Sequence, residues 1–398
     1  KAHVDRLRVA GSQALENGKF QVYGTTDQLL EGLERAVDPD QNGDASDAVP
    51  VAVTGLSAPY SGFDRSAIAE AVDGAGQLGT LVVAPAGNGG HPDGPFGSIT
   101  APGAAQQALT VGALDAGGDV AEASSRGPTY SLGPKPDLAI GGGASAQAGT
   151  AWGTAIATAR VAGVAAALRA ERRKLTPVQA AAALIGTAAP RGEPKGAGGG
   201  DPLLQAARAT PLVALPAQIA IGPGQSVTVA IDALSRSTPQ IQAKPVPGLT
   251  IAVAGSQVRI SAAKDAKGSG RIDLGPIAVP YQVIDGQPPP PPLGRPEVIL
   301  RGGKPDGVRF TAGSLERGDK GTSVIPVGNL ILTLRGPTKR ELTPPGGARD
   351  LLPGEYAYTL TDEITSQLQP GVYRFELRAR GTAGGEVVAK RSRSFRVS

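Results

Sequence analysis

Residues 149–169 read Gly-Thr-Ala-Trp-Gly-Thr-Ala-Ile-Ala-Thr-Ala-Arg-Val-Ala-Gly-Val-Ala-Ala-Ala-Leu-Arg, a run of small residues that predicts a helix opening near Gly153 and Thr154. The first-turn N–H groups of a helix have no intrahelical partners, and its positive dipole end faces outward there. Such a start stabilises negative charge developing on a carbonyl oxygen. Gly153 and Thr154 are therefore candidates to line a substrate cleft. Trp152, the single tryptophan, either joins them or packs over the helix start. A second stretch is Asp38-Pro-Asp40-Gln-Asn42-Gly43-Asp44-Ala-Ser46-Asp47. Asp38, Asp40, Asn42 and Asp44 place oxygens at alternate positions, with Gly at the sharp turn, as in the opening of a Ca²⁺ loop. The twelfth position is Val49 where an EF-hand needs a bidentate Glu, so an EF-hand is excluded. A calcium site of another kind and a solvated acidic turn both fit. The two histidines, His3 and His91, have no motif around them and read as solvated side chains.

The elements that must position these residues follow from patterning. A short strand is predicted over Val4–Val9. Thr25 or Thr26 caps a helix whose apolar face is Leu29, Leu30, Leu33 and Val37. Val49–Thr54 reads as a buried strand. A helix from Asp64 or Ser66 to about Leu78 precedes strands at Leu81–Ala84 and Ala108–Val111. The helix at Gly153 follows Gly141–Gly143, and Thr176-Pro177 starts another to about Ile185 before the break at Gly196–Gly200. Strands alternating with amphipathic helices predict an α/β unit, a parallel sheet with flanking helices, over 1–210. From Pro211 the period becomes two: Val227/Val229/Ile231, Ile251/Val253, Val258/Ile260 and Ile272/Leu274 predict an antiparallel β-sandwich over 211–284. A polyproline linker, 285–296, leads to a second all-β unit over 297–398, with strands at Leu330–Leu334, Tyr356–Leu360, Val372–Arg378 and Ser394–Val397.

Composition narrows the function. Only 4% of residues are aromatic, so the cores must be aliphatic. The formal net charge of +4 is spread along the sequence, and no basic run is interleaved with aromatics, which argues against nucleic-acid binding. Without cysteine there is no disulfide or thiolate metal site. No apolar run approaches the ~18 residues of a membrane span. With no methionine even at position 1, Lys1 is expected to be a processed or cleaved N-terminus.

Several blocks resemble the subtilisin-like serine peptidases in order and spacing. Gly153-Thr154-Ala155-Ile-Ala157-Thr-Ala-Arg160-Val-Ala-Gly163 is similar to the family's nucleophile helix, Gly-Thr-Ser-x-Ala. Leu81-Val-Val-Ala-Pro-Ala-Gly87-Asn88 is similar to its Val-Val-Ala-Ala-Ala-Gly-Asn block; Ile99–Ala113, Ser124-Ser-Arg-Gly-Pro128 and Lys135-Pro-Asp-Leu138 match further segments. The resemblance implies that Asn88 holds the oxyanion position, with Gly87 beside it in the cleft, and that Ala155 stands where the nucleophilic serine should be. A methyl group cannot attack a carbonyl. The family's Asp block and its Gly-His-Gly-Thr-His block are found nowhere in this sequence. Residue 1 falls where the family has just finished its His helix.

Two readings follow. In one, this is a catalytically inactive subtilisin-like protein, extracellular or at the cell surface, acting in scaffolding, assembly or binding, with immunoglobulin- or fibronectin-like sandwiches as spacers or adhesion modules. In the other, it is the processed or deliberately inactivated large fragment of a secreted serine endopeptidase. Because the family's Asp-bearing strand lies inside the sheet, residues 1–210 are expected to need a second polypeptide to complete it. An N-terminal fragment of the same precursor and a neighbouring subunit are the two candidates.

Overall fold

The computed structural model describes the chain except for residues 1–2, 15–17, 19, 59–65, 91–97, 147–148, 191–200, 236–239, 287–289, 319–320, 326, 343–350, 352, 381–387 and 398. His91, Asp64, Gly196–Gly200, Pro288 and Pro289 thus lie outside the described residues.

The strand expected over Val4–Val9 is not formed. Val4 and Leu7 stand exposed in irregular backbone. A short run with a few apolar residues suggests a strand, but a strand exists only when a neighbour takes up its N–H and C=O groups. The chain instead pairs a little later, in a hairpin of β1 (Gly11–Ala14) and β2 (Phe20–Tyr23). Helix α1 (Thr26–Val37) begins at Thr25 with a capping box: Thr25 Oγ1 accepts from the Gln28 N–H at 3.3 Å, and Gln28 Oε1 accepts from the Thr25 N–H at 3.0 Å. One such cap contributes about 1 kcal/mol.

The first unit is built on β3 (Val51–Val53), α2 (Ala67–Gln77, capped by Ser66), β4 (Leu81–Pro85), β5 (Leu109–Leu114) and β6 (Leu138–Gly141). The strands form one parallel sheet in the order β3-β4-β5-β6. A hairpin of β7 (Gly143–Ala146) and β8 (Gly149–Trp152) then feeds α3 (Thr154–Glu171), followed by α4 (Pro177–Gly186) and α5 (Leu204–Ala209). Strand alternation divides β4 between two cores. Leu81 and Val83 pack with Ala157, Val161, Ala165 and Leu168 of α3, whereas Val82 and Ala84 pack with Leu33 of α1 and Val72 of α2. The small residues of α3 let it lie close on the sheet. Strand β3 corrects the reading of Val49–Thr54 as buried: it is the sheet's edge, pairing only with β4 among the described residues, and Val53 is 53% exposed. Neither β6 nor the β7–β8 hairpin is visible in the sequence pattern, because runs of Gly and Ala carry no alternation.

The second unit contains β9 (Leu212–Leu215), β10 (Ile219–Ile221), β11 (Ser226–Ala233), β12 (Leu249–Ala254), β13 (Gln257–Ala262), β14 (Ser269–Asp273) and β15 (Ala278–Val283). One antiparallel sheet runs β12-β13-β11-β9, and a second runs β10-β15-β14. The expectation of a purely antiparallel sandwich is corrected at one place: β10 pairs parallel with β15. Strand β9 belongs to both units. Val213 lies in the core under α3 and α4, while Leu212 and Ala214 lie in the sandwich core. Arg172 fastens the junction by donating to the carbonyls of Thr210 at 3.0 Å and Leu234 at 3.3 Å.

The third unit contains β16 (Glu297–Arg301), β17 (Lys304–Ala312), β18 (Ser314–Gly318), β19 (Gly321–Ile325), β20 (Gly328–Arg335), β21 (Arg340–Leu342), β22 (Gly354–Thr359), α6 (Asp362–Ser366), β23 (Gly371–Arg380), β24 (Val388–Arg391) and β25 (Phe395–Val397). The β16-β17-β22 sheet faces the β21-β20-β23-β24 sheet across Phe310, Leu332, Leu334, Tyr373 and Phe375. The end of the proline run is part of this unit. The Gly313 N–H donates to the Pro292 carbonyl at 2.9 Å, the Gly294 N–H donates to the Thr311 carbonyl at 2.8 Å, and Leu293 is buried.

Glu376 of β23 is fully buried, and the guanidiniums of Arg335, Arg378 and Arg391 surround it. Burial pushes its carboxyl up, but hydrogen bonds from Arg391 and Arg335 and the charges of Arg335 and Arg378 outweigh this and hold it below its ordinary 4.5. A carboxylate depressed by folding adds stability that is complete above the ordinary value and is lost as pH falls through the folded value. The third unit should therefore melt progressively lower as pH drops below 4.5. Glu376→Gln should flatten that dependence and cost roughly 1.5–3 kcal/mol at neutral pH, one charged hydrogen bond's worth after desolvation is offset. Melting curves from pH 3 to 7 check this; a variant with an unchanged pH profile contradicts it.

Candidate functional site

The end of β4 and the start of α3 meet at one point. Gly87 turns the chain out of the sheet with φ +105°; a Cβ there would sit 2.9 Å from Thr100 Oγ1 and 3.0 Å from Ser125 Oγ, so glycine is required. Asn88 follows and reaches across 66 residues of sequence. Its Oδ1 accepts from the Thr154 N–H at 3.1 Å and from the Thr154 hydroxyl at 3.0 Å. With the carbonyl oxygen engaged twice, the Nδ2 donor lies beside Gly153, where a Cβ would approach it to 3.2 Å. The Ser124-Ser125 loop steadies this corner: Ser125 Oγ accepts from the Gly89 N–H at 3.0 Å, and the Ser125 N–H donates to the Gly87 carbonyl.

Ala155 is the second residue of α3 and is partly exposed. The Asn88 amide donor and the helix start thus meet beside a methyl group, where the Thr154 N–H is held by Asn88 and those of Ile156 and Ala157 by the Gly153 carbonyl. The arrangement can hold a carbonyl oxygen; it offers no nucleophile. Gly55, just beyond β3, completes the wall, since a Cβ there would stand 3.7 Å from the Ala155 methyl. The sequence reading missed Gly55. The available signal was its place immediately after a strand of the same sheet. Trp152 is 39% exposed and donates through Nε1 to the Leu114 carbonyl at 3.4 Å, so it packs over the end of β5 with one face in solvent. Arg160 clamps the turn before the hairpin, donating to the carbonyls of Gly141 at 2.7 Å and Gly143 at 2.6 Å.

The other matched blocks hold the corner in place. Asp137 accepts from the Thr110 N–H at 2.6 Å, the Lys135 ammonium at 2.8 Å and Gln218 of the second unit. Lys135 also donates to the Ala108 carbonyl at 2.7 Å, and both side chains of the ion pair are over nine-tenths buried. His3, the one histidine among the described residues, is largely exposed beside Asp5 at 3.3 Å.

The acidic loop differs in detail from the spacing argument. Asp38, Asp40 and Asp47 bring carboxylate oxygens within 4.8 Å of one another. Asp44 caps the short 3-10 turn Ala45–Asp47 instead, accepting from the Ser46 N–H at 2.9 Å, and Asn42 Oδ1 accepts from the Asp44 N–H at 2.7 Å. The Gly43 N–H, aided by that of Asn42, holds the Asp38 carboxyl below its ordinary value against a smaller push from desolvation. Alternate spacing ignores the fold-back that brings Asp47 to Asp38.

Residues 22–206 match the family model described as Subtilase family. The curated relative "Serine protease AprX" of Bacillus subtilis (strain 168) is 31% identical over 186 residues, covering 39% of this chain and 41% of that protein. The chain thus spans about two fifths of that relative's length. Among solved structures, a protease from Pseudoalteromonas arctica PAMC 21717 is similar at 25% identity and a TM-score of 0.38, over 47% of this chain and 59% of the other. The prenylagaramide maturation protease PagA is similar at 20% identity and a TM-score of 0.39, over 48% and 69%.

Proposed function

We propose, on the premise that residues 22–206 are a subtilase-family segment, that this chain is a catalytically inactive member acting as an extracellular scaffold or binding protein. The observation that carries the reading is Ala155 at the start of α3, beside the retained Asn88–Thr154 link. Scaffold and oxyanion corner are kept while the attacking group is a methyl. In this reading the two β units serve as immunoglobulin- or fibronectin-like spacers. The test is casein hydrolysis together with labelling by a serine-directed fluorophosphonate; neither should exceed a buffer control, and hydrolysis blocked by the probe overturns the proposal.

The open edge of β3 favours the second reading, a large fragment of a processed or disabled endopeptidase, in one respect. Among the described residues no strand pairs its outer side, which leaves that side's N–H and C=O groups for a further strand. We assign that place to a second polypeptide, an N-terminal segment of the same precursor before a neighbouring subunit. Amide exchange tests it: in the isolated chain β3 should exchange much faster than β4 and β5. Protection equal to that of β4 contradicts it.

Asp38, Asp40 and Asp47, all hard oxygen donors, suit Ca²⁺ and are proposed to hold it. EDTA should lower the melting temperature of the first unit and added Ca²⁺ restore it by mass action. An EDTA-insensitive melting curve removes the assignment.

A further inference from the structure

The basic excess of this protein sits in its third unit. Residues 297–398 hold 16 Lys and Arg against 11 Asp and Glu, whereas the other 296 residues hold 23 against 24. Much of it is gathered on one sheet face. Along β23, Tyr373, Phe375, Leu377 and Ala379 point into the core, so Arg374, Glu376 and Arg378 point outward. Cross-strand pairing places Arg335 of β20 opposite Arg374, and Arg391 of β24 opposite Glu376. Glu376 faces outward yet is fully buried, because guanidiniums lie over it. Arg335 donates to it at 2.7 and 2.9 Å, Arg391 at 2.8 Å, and Arg378 approaches to 3.2 Å. Those three side chains remain 33%, 55% and 51% exposed. A guanidinium has five N–H donors, and Glu376 takes one or two from each. The rest are held in a fixed array on a flat surface.

We propose that this arginine face binds a linear polysaccharide bearing carboxylates. Three features favour that partner. Guanidiniums match carboxylates through paired N–H donors, and the face already holds one carboxylate in this way. No aromatic side chain stands on the outward face among the described residues of β20, β23 and β24, so the stacking platforms of single-stranded nucleic-acid sites are absent. Around Glu376 the outward side chains of β23 are Arg374 and Arg378, flanked by the apolar Val372 and by Ile331 of β20, so charged groups and not an apolar cluster hold the centre that a folded protein partner needs. Arg335 and Arg374 stand about 4.8 Å apart across strands, and Arg374 and Arg378 about 13.6 Å apart along β23, a spread of cations that suits a stiff polymer of repeating anions. Glu376 acts as a positioning residue: it spreads and orients the guanidiniums before the polymer arrives, which reduces the ordering cost of binding. The proposal rests on the third unit alone and is independent of the reading of Ala155.

The experiment measures retention of the full chain on immobilised polygalacturonate at low and high salt, with duplex DNA and polyglutamate as parallel supports. Salt-sensitive retention on polygalacturonate, stronger than on the other two, is expected. Arg374→Ala, which removes a guanidinium with no bond to Glu376, should weaken binding roughly tenfold. Glu376→Gln makes the face more positive; charge alone would tighten binding, whereas loss of positioning weakens it, and weakening is expected. No retention, equal retention on all three supports, preference for DNA or polyglutamate, or tighter binding by Glu376→Gln each overturns the proposal. If Glu376→Gln does not fold, Arg374→Ala and the comparison of supports decide the matter.

Discussion

Replacing Ala155 with serine will not make this chain a peptidase. The site retains what such a serine needs from the backbone: the start of α3, the Asn88 amide locked onto Thr154, and Gly55 leaving space beside the methyl. It lacks a base. A serine hydroxyl attacks only when a neighbour takes its proton as the new bond forms. The one described histidine, His3, is 87% exposed and paired with Asp5. In subtilisin itself, loss of the serine or of the histidine alone costs about as much as loss of the whole triad, about 10⁶-fold in kcat. Ala155→Ser should therefore stay at the background of the parent chain in fluorophosphonate labelling and in peptide hydrolysis. Labelling of Ser at position 155 above that background reveals a base within reach and ends the reading of an inactive site.

The second large effect falls on stability. Asp137→Ala removes one carboxylate that binds the Thr110 backbone, the Lys135 ammonium and Gln218 of the second unit. Lys135 is left as a buried cation without its counter-charge, and such a loss costs about 3–5 kcal/mol. The orphaned Thr110 N–H adds to this. For a unit of this size the change corresponds to a fall of roughly 6–20 °C in melting temperature. The double replacement Asp137→Leu with Lys135→Met, which leaves no charge to strand, should recover much of the loss. A single variant melting within 2 °C of the parent would show that the pair is not buried as described.

The sequence alone was enough for features set by neighbours along the chain. Helix starts at Thr25 or Thr26, at Asp64 or Ser66 and at Thr176 were legible because a cap contacts residues only three positions away, and the apolar run Leu81–Ala84 reads as a buried strand. The corner of Gly87, Asn88, Gly153 and Ala155 was legible because short blocks carry it, although the Asn88–Thr154 bond spans 66 residues. Tertiary structure decided whatever depends on who stands next to whom. Among the described residues Val4–Val9 has no ladder partner, whereas Val51–Val53 pairs on one side only, and its edge is exposed for that reason. Asp47 replaces Asp44 in the carboxylate group because the loop folds back. Lys135 and Asp137 read as part of a motif, and only the packed interior shows that they hold β5 to the second unit. Local propensities and caps are written into a few adjacent residues. Ladder partners, buried ion pairs and shared cores such as β9 are fixed by long-range packing, which no short stretch of sequence contains.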